Sequence, residues 1–401
     1  MTGATARAER VELVDALRGF ALLGILLANI LYWSGWALMT EGQRLALGGV
    51  DAVTWQYRFH HLLVDGKFYT IFSLLFGTGF ALQIARLAAR GVEGMRLYRR
   101  RVFILLGIGL IHSWLIWDGD ILTLYALLGL LLPWFYDWSE RSLLLGAAVL
   151  IFVIPFGGIM LFSYLGWRPH EHLYAVSFAI AKGLGANTAP DAGIEWLRRD
   201  DFMGWLSWAL SGTPYSWGLR IESWRVPKVL GIMLIGIVVG RRLAAGTLLD
   251  NRQLLRSVLL LGLVIGLPAS AVYALLPSKG QADWPSILGT VPLALAYAAA
   301  FVLLWSKARP ILRHLVPVGR MALTNYLTHS LLGIVLFYGI GFGLVGRLQP
   351  LAFYGVAVLI FAAQLLFSRW WLSRHEQGPA EALWRRASYA RKSVLVPTSS
   401  T

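Results

Sequence analysis

Cysteine is absent from the 401 residues of the chain, and its absence excludes several kinds of chemistry. No disulfide, thiolate nucleophile, cysteine-ligated zinc ion or iron–sulfur cluster can form. A covalent intermediate would have to form on a serine, threonine, histidine, lysine or carboxylate side chain. The sequence also contains no P-loop and no G-x-S-x-G nucleophile elbow. These absences remove the common signatures of nucleotide hydrolysis and of α/β-hydrolase chemistry.

Charged residues are scarce, at 14% of the chain, whereas a typical soluble domain has roughly 25%. Hydrophobic residues make up 57%, which excludes a disordered chain. So few charges cannot cover the surface of the two or three soluble domains that this length would otherwise suggest. The 18 Trp, 15 Tyr and 19 Phe suit the two interfaces of a bilayer. The composition therefore predicts an all-α, polytopic transmembrane helix bundle.

Apolar segments of about 20 residues predict where the chain crosses the bilayer. The first such segment lacks a clear small-residue cleavage site and is interpreted as a membrane span, not a signal peptide. Two glycine pairs with the spacing G-x-x-x-G, at 236/240 and 262/266, predict close helix–helix approach. The ten predicted spans are 17–37, 68–86, 102–118, 121–137, 142–165, 227–241, 255–276, 287–305, 321–342 and 351–369.

The span pattern divides the chain into three regions. The N-terminal half, 1–165, has five predicted spans, and the C-terminal half, 227–401, has five more and a basic cytoplasmic tail. Between them, 166–226 is predicted to be an outer, Trp-rich loop with an interfacial helix. Whether this middle region contains a partial insertion is left open.

The net charge of +15 comes from 36 Lys and Arg against 21 Asp and Glu. A soluble chain with this charge would suggest nucleic acid, but here the basic residues indicate cytoplasmic loops, and no nucleic-acid partner is expected. With the N-terminus inside, 24 basic residues flank the cytoplasmic ends of the spans and 12 flank the outer ends. The positive-inside rule therefore predicts both termini in the cytoplasm and a multi-pass location in the bacterial inner membrane.

Polar side chains within predicted spans need an explanation, because an ionisable group in the bilayer is costly and often functional. They could lie in a polar seam that forms a substrate or proton path, or they could join neighbouring helices by hydrogen bonds. Two aspartates in the turn between spans three and four could border the same outer cavity or cap the following helix. The predicted path comprises Asn29, His112, Asp118, Asp120, Asn325 and His329.

Two adjacent histidines precede span two. If this stretch is helical, His61 and Asp65 share a face, and the carboxylate could orient the imidazole as a general base. His60 would point about 100° away, given 3.6 residues per turn. Adjacent histidines on a helix do not suit one zinc ion, so no metal is expected. We therefore predict His61, His60 and Asp65 as the catalytic group, with His61 favoured over His60.

Several stretches of the sequence resemble the YeiB-like family of bacterial inner-membrane proteins. This family is similar to the transmembrane acyltransferases, which include heparan-α-glucosaminide N-acetyltransferase and the acyltransferase-3 type enzymes. The stretches that carry the resemblance are Val11–Ile30, Asp65–Gly79, Gly119–Gly129, Gly319–Leu327 and Gly378–Arg385.

Asp15-x-x-Arg18-Gly19, followed by His60 or His61, is similar to the heparan-type pattern of Asp-x-x-Arg-Gly and a catalytic histidine before span two. After the histidine this sequence departs from that pattern, which leaves the choice between His60 and His61 open. Further along the chain, 326–329 resembles the Tyr-Leu-x-His of acyltransferase-3 type proteins.

The resemblance implies acyl transfer across the membrane. Acyl-CoA, with acetyl-CoA as the expected donor, would bind from the cytoplasm at Arg18 and Asp15. The acyl group would pass to a glycan, a lipid headgroup or a small-molecule acceptor at the outer face, next to membrane lipids. The alternatives are a small-molecule or proton-coupled transporter that uses the polar seam, and a non-catalytic envelope protein. Dependence on acyl-CoA would discriminate between them, and whether the protein forms a homodimer is left open.

Overall fold

The structure is a computed structural model that describes residues 3–89, 91, 93–189, 192–276 and 280–389, without the side chains of 3–10 and 163. The residues so described form helices and turns and no strand, which confirms the all-α prediction. The helices are α1 (Gly3–Trp33), α2 (Glu41–Phe59), α3 (Lys67–Ala88), α4 (Gly94–Leu115), α5 (Leu122–Gly129), α6 (Glu140–Ala148), α7 (Ile154–Tyr164), α8 (Pro169–Gly183), α9 (Gly193–Leu197), α10 (Phe202–Glu222), α11 (Arg225–Ala244), α12 (Thr247–Asp250), α13 (Arg252–Leu261), α14 (Leu267–Leu275), α15 (Trp284–Leu312), α16 (Val316–Arg320), α17 (Ala322–Phe337), α18 (Pro350–Leu372) and α19 (Pro379–Tyr389).

Six helical segments of the described chain are long and apolar enough to cross a membrane, as a helical membrane bundle requires. A shorter apolar helix, α17, follows the fifth of them. The count of ten spans and the cytoplasmic location of both termini remain predictions. The six segments are Val11–Trp33, Glu41–Ala88, Glu140–Phe162, Arg252–Leu275, Trp284–Arg320 and Pro350–Leu372.

The predicted span 121–137 differs from the structure, which has the eight-residue helix α5 and a 3₁₀ turn at Leu132–Phe135. Pro133 disfavours a helical conformation for the residue before it, and Gly129 has low helix propensity. Leu130 and Leu131 between these two elements, and Tyr136 after them, keep right-handed helical dihedral angles, so the segment is a continuous but irregular helical stretch. Its crossing of the bilayer stays a prediction.

The middle region, 166–226, is more helical than the predicted loop. It contains α8 and the 21-residue helix α10, which begins after Asp201, whose carboxylate accepts a hydrogen bond from the N–H of Gly204. The Ser177 hydroxyl of α8 donates to the carbonyl oxygen of Ser211 on α10 at 2.7 Å, so small side chains lie between the two helices. The sequence did not reveal this helix pair, because its many Trp residues also suit an interfacial loop.

Both glycine pairs lie where helices touch, as their spacing predicts. On α11, Gly236 faces the carbonyl oxygen of Leu74 on α3, and Gly240 faces that of Thr78. On the π-helical segment between α13 and α14, Gly262 and Gly266 lie against α15. Small residues let backbones approach closely, which is the main way that helices associate in a bilayer. The α3–α11 contact is therefore a central element of the bundle.

Substitution of Gly236 by valine is expected to destabilise the protein by about 1–3 kcal/mol, since a side chain there overlaps the backbone of α3. The matched control is Gly355→Val, because Gly355 also lies within a helix but faces open space. Thermal unfolding of the detergent-solubilised variants measures the difference. Equal midpoints for the two variants would contradict the proposed packing.

Candidate functional site

A π-helical segment, His60–Val64, joins α2 to α3 and sets the directions of the two adjacent histidines. The N–H of Asp65 donates to the carbonyl oxygen of His60, five residues earlier, at 2.7 Å, whereas an α-helical hydrogen bond joins residues four apart. This wider turn places His60 Nε2 4.0 Å from Asp65 Oδ1. The expectation that Asp65 orients His61 is therefore wrong, because the π turn changes which residue shares the carboxylate's face.

His61 is oriented by a backbone carbonyl instead. Its Nδ1 lies 2.9 Å from the carbonyl oxygen of Tyr57, which can only accept, so Nδ1 carries the proton. The imidazole is half-buried, stacks on the Tyr57 ring at 4.0 Å and meets the Tyr273 ring edge-on at 4.5 Å. These contacts fix the tautomer that leaves Nε2 as a hydrogen-bond acceptor, which is the state a general base needs.

Asp65 lies in a polar cluster that the sequence did not reveal. It accepts a 2.6 Å hydrogen bond from the Tyr273 hydroxyl and another from the Gln281 amide. Two buried lysines lie nearby, with Lys67 at the start of α3 and Lys228 in the first turn of α11. The only sequence signal for them is a lysine at the start of an apolar run, which usually denotes a solvated flank.

A second site lies where α4, the turn at 116–121 and α17 meet. His112 Nδ1 lies 3.0 Å from Asp120 Oδ1, and His112 Nε2 lies 2.9 Å from Ser330 Oγ. The other carboxylate oxygen of Asp120 accepts from the N–H of Thr123 at 2.7 Å. All three side chains of this serine–histidine–aspartate chain are buried. An ionised carboxylate only accepts, so Nδ1 is the donor and Nε2 accepts from the serine hydroxyl.

The sequence placed His112 and Asp120 in one path but did not pair them, and it did not identify Ser330. Ser330 is 218 residues away from His112, and no local pattern connects them. The aspartates of the turn separate in the structure, because Asp118 accepts from Ser216 of α10 at 3.2 Å whereas Asp120 faces His112.

A buried arginine adjoins this turn. Arg220 of α10 donates to the carbonyl oxygen of Asp120, and its guanidinium lies 5.0 Å from the centre of the Trp217 ring. Burial lowers the pKa of Arg220 to about 10, so the side chain stays cationic at neutral pH.

Asn325 and His329 of the predicted seam join α17 to α18 by hydrogen bonds. His329 Nε2 lies 2.7 Å from the Gln364 side-chain oxygen, and the Gln364 amide donates to the carbonyl oxygen of Asn325 at 3.0 Å. The Asn325 amide donates to Ser368 at 3.0 Å. Asn29 is half-buried and makes no hydrogen bond from its side chain within the described residues. Within the described residues, no continuous hydrogen-bonded path therefore joins Asn29, His112, Asn325 and His329.

A cavity of about 850 Å³ lies between α1, α3, α4 and α17. Its two ends differ in chemistry, since Arg18, Arg86 and Arg320 lie at one end, and Tyr125 and Tyr326 lie at the other. Apolar residues of α3 and α4 line the space between them: Phe72, Leu75, Phe76, Phe80 and Leu105.

The residues at the two ends of the cavity show how it lies relative to the predicted donor-binding residues and to the histidines. Arg18 Nη1 contacts Asp15 Oδ1 at 2.6 Å at the basic end, which brings the two predicted donor-binding residues together. At the tyrosine end, the Tyr326 ring lies 5.4 Å from the His112 ring, centre to centre. His60 and His61 do not line the cavity. His112, Asp120 and Ser330 are not part of its lining either, but the lining residue Tyr326 lies against His112, so the serine–histidine–aspartate chain is separated from the cavity by this tyrosine.

Comparison with known proteins identifies the family. The family described as "Protein of unknown function (DUF418)" matches residues 239–391. The chain is 30% identical to "Uncharacterized protein YxaH" of Bacillus subtilis (strain 168), over 95% of this chain and 94% of that protein. It is 31% identical to "Uncharacterized protein YeiB" of Escherichia coli (strain K12), over 94% of this chain and 96% of that protein. The protein therefore belongs to the YeiB-like family that carries the DUF418 region.

Proposed function

We propose that this protein is an integral acyltransferase of the bacterial inner membrane. It moves an acyl group, with acetyl the expected case, from cytoplasmic acyl-CoA to an acceptor at the outer face. The single observation that carries the proposal is the cavity with a basic end, an apolar middle and a buried histidine beside its far end. A plain carrier would not need this combination of an anion-binding end and an oriented base.

The basic end of the cavity suits the phosphates of coenzyme A. Arg18, Arg86, Arg101 and Arg320 line it, and arginine binds phosphate oxygens through paired N–H donors. The volume of about 850 Å³ is within the range of ligand pockets. By the predicted orientation, this end faces the cytoplasm, where acyl-CoA is available. The acyl end of the donor would then lie toward Tyr125 and Tyr326.

His112 is the base that this geometry supports best. Its Nε2 takes the proton of the acceptor hydroxyl or amine as the acceptor oxygen or nitrogen bonds to the acyl carbon. The carbon–sulfur bond breaks, and His112 returns the proton to the coenzyme A sulfur, so atoms and charge balance. Asp120 holds the imidazole in the required tautomer and stabilises its protonated form. Ser330 occupies Nε2 until the acceptor displaces it.

We assign His61 to the acceptor, because its Nε2 has no hydrogen-bond partner among the described residues and the predicted topology puts it at the outer face. His61→Ala is expected to reduce acyl transfer at least tenfold, mainly by raising KM for the acceptor. His60→Ala should have a smaller effect, since within the described chain His60 Nδ1 is buried without a partner and Nε2 lies 4.0 Å from Asp65 Oδ1, beyond hydrogen-bond distance. Steady-state kinetics on reconstituted protein compare the two variants. Full activity in the double variant would remove both histidines from the mechanism.

Binding of the donor is testable without knowledge of the acceptor. Purified protein in detergent should bind acetyl-CoA, and Arg18→Ala should weaken binding roughly tenfold or more, because a charge-assisted contact to phosphate is lost. Arg256→Ala is the control, since Arg256 is an exposed arginine of α13 outside the cavity lining. Isothermal titration calorimetry measures both. A wild-type protein that does not bind coenzyme A thioesters would favour the transporter alternative.

A further inference from the structure

Two lysines are buried at the end of the bundle away from the basic end of the cavity. The exposed fractions of Lys67 and Lys228 are 0% and 1%. Lys67 Nζ donates to the carbonyl oxygen of His61 at 2.5 Å, and Lys228 Nζ donates to that of Gln281 at 3.3 Å. Neither ammonium group lies within 4.0 Å of a carboxylate oxygen in the described part of the chain.

A third cation belongs to the same cluster. Arg225, the first residue of α11, donates to the Gln281 side-chain oxygen at 3.1 Å and lies 5.0 Å from the centre of the Tyr69 ring. Its Nε is buried and has no hydrogen-bond partner among the residues that the structure describes. Asp65 connects these cations, because it shares Gln281 with Arg225 and Lys228 and accepts from Tyr273, whose ring centre lies 5.8 Å from Lys67 Nζ. With the three cationic side chains protonated, the cluster carries a surplus of two positive charges.

The helix ends add to this positive potential. α3 and α11 run parallel, since Arg225 lies beside Tyr69 and Gly236 lies beside Leu74. Their N-cap residues, Gly66 and Trp224, provide no side-chain hydrogen bond to the free N–H groups. Helix N-termini carry partial positive charge, so two of them meet at this cluster without an acidic cap. A buried surplus of positive charge is costly unless an anion balances it.

We infer that the cluster of Lys67, Lys228, Arg225 and Gln281 binds a phosphate group. A phosphate monoester carries close to two negative charges and a diester carries one, and both present the oxygen acceptors that ammonium and guanidinium groups prefer. The site lies at the N-terminal ends of α3 and α11, whereas the basic end of the cavity lies near their C-terminal ends, where Arg86 of α3 lines it. This binding is additional to the proposed acyl transfer and does not depend on it.

The phosphate could belong to a phospholipid headgroup or to a free phosphorylated molecule, and the experiment separates these sources. Calorimetry on the detergent-purified protein compares inorganic phosphate, dihexanoyl phosphatidylglycerol, neutral dihexanoylglycerol and acetate. We expect phosphate or the phospholipid to bind, and the neutral lipid and acetate to bind at least tenfold more weakly. Tighter binding of the phospholipid than of free phosphate identifies a lipid headgroup. Absence of binding by both, or equal binding of acetate, would overturn the inference.

Variants connect this binding to the lysines. Lys67→Met and Lys228→Met keep an unbranched side chain that lacks the ammonium group, and each should weaken binding roughly tenfold to a hundredfold through loss of a charge-assisted contact. Removal of a buried, unbalanced cation should not lower the unfolding temperature of the unliganded protein, which a purely structural role would do. Lys182→Met, at an exposed position of α8, is the control. Arg225→Gln serves if a lysine variant does not fold. Unchanged affinity in the folded variants would contradict the assignment.

Discussion

Replacement of His112 by alanine is expected to abolish acyl transfer, with a loss of roughly 10²- to 10⁴-fold, the usual contribution of a positioned general base. The same change should destabilise the protein by about 3–5 kcal/mol, because the buried Asp120 carboxylate loses its partner. The Ser330 hydroxyl also loses its acceptor. Activity must therefore be expressed per folded molecule, with the folded fraction measured by thermal unfolding.

His329→Ala is the matched control for this variant. His329 is also fully buried, lies on α17 and makes one side-chain hydrogen bond, to Gln364. It should lower stability but keep the transfer rate of the folded protein. Equal loss of rate in the His112 and His329 variants would contradict a catalytic role for His112.

Ser330→Ala distinguishes two versions of the chemistry. If Ser330 only occupies His112 Nε2 until the acceptor arrives, its loss should change the rate little. If its oxygen carries the acyl group as an ester, its loss should equal that of His112→Ala, and mass spectrometry should detect an acylated serine in the wild-type protein. Because Ser330 is buried, we expect the first result.

Asp65→Ala is expected to have the second large effect, a destabilisation of about 3–5 kcal/mol. The Tyr273 hydroxyl and the Gln281 amide both lose their acceptor. Lys67, Lys228 and Arg225 also lose a nearby negative charge. The control is Asp51→Ala, since Asp51 is an exposed aspartate of α2 in the same part of the chain. Thermal unfolding measures both variants.

The Asp65→Ala variant also tests the phosphate site, through the effect of added phosphate on its unfolding temperature. If the three cations bind phosphate, phosphate should raise the unfolding temperature of the Asp65 variant more than that of the wild type, because it replaces the missing negative charge. An equal rise in both proteins would show that Asp65 and the phosphate site are independent. A variant as stable as Asp51→Ala would show that the carboxylate does not hold this end of the bundle together.

Helix content, membrane class and some contacts were predictable from the sequence. Long apolar runs and few charges are a local property, so they predicted the helical bundle directly. The spacing of Gly236 and Gly240 predicted a close helix contact, because small residues on one face need a partner backbone. The irregular helix within the predicted span 121–137 was not predictable from composition, because a composition window does not weigh the effects of Gly129 and Pro133 on the backbone.

The candidate sites were only partly predictable. His61 and His112 stood out because a histidine in an apolar or pre-span segment is rare. Their partners did not stand out, since the π turn at His60–Val64 depends on backbone hydrogen bonds that the sequence does not reveal. This turn moved the Asp65 carboxylate toward His60, which a regular helix would not do.

The sequence by itself determined that this chain is an apolar helix bundle with conspicuous histidines and glycine contacts, because composition and spacing act within single helices. Only the tertiary structure decided that Ser330 meets His112 and that Lys228 joins Asp65 at Gln281. These residues lie on helices far apart in the chain, and helix packing brings them together. Whether a polar residue is a site or a simple interhelical contact depends on its neighbours, and those neighbours are set by packing.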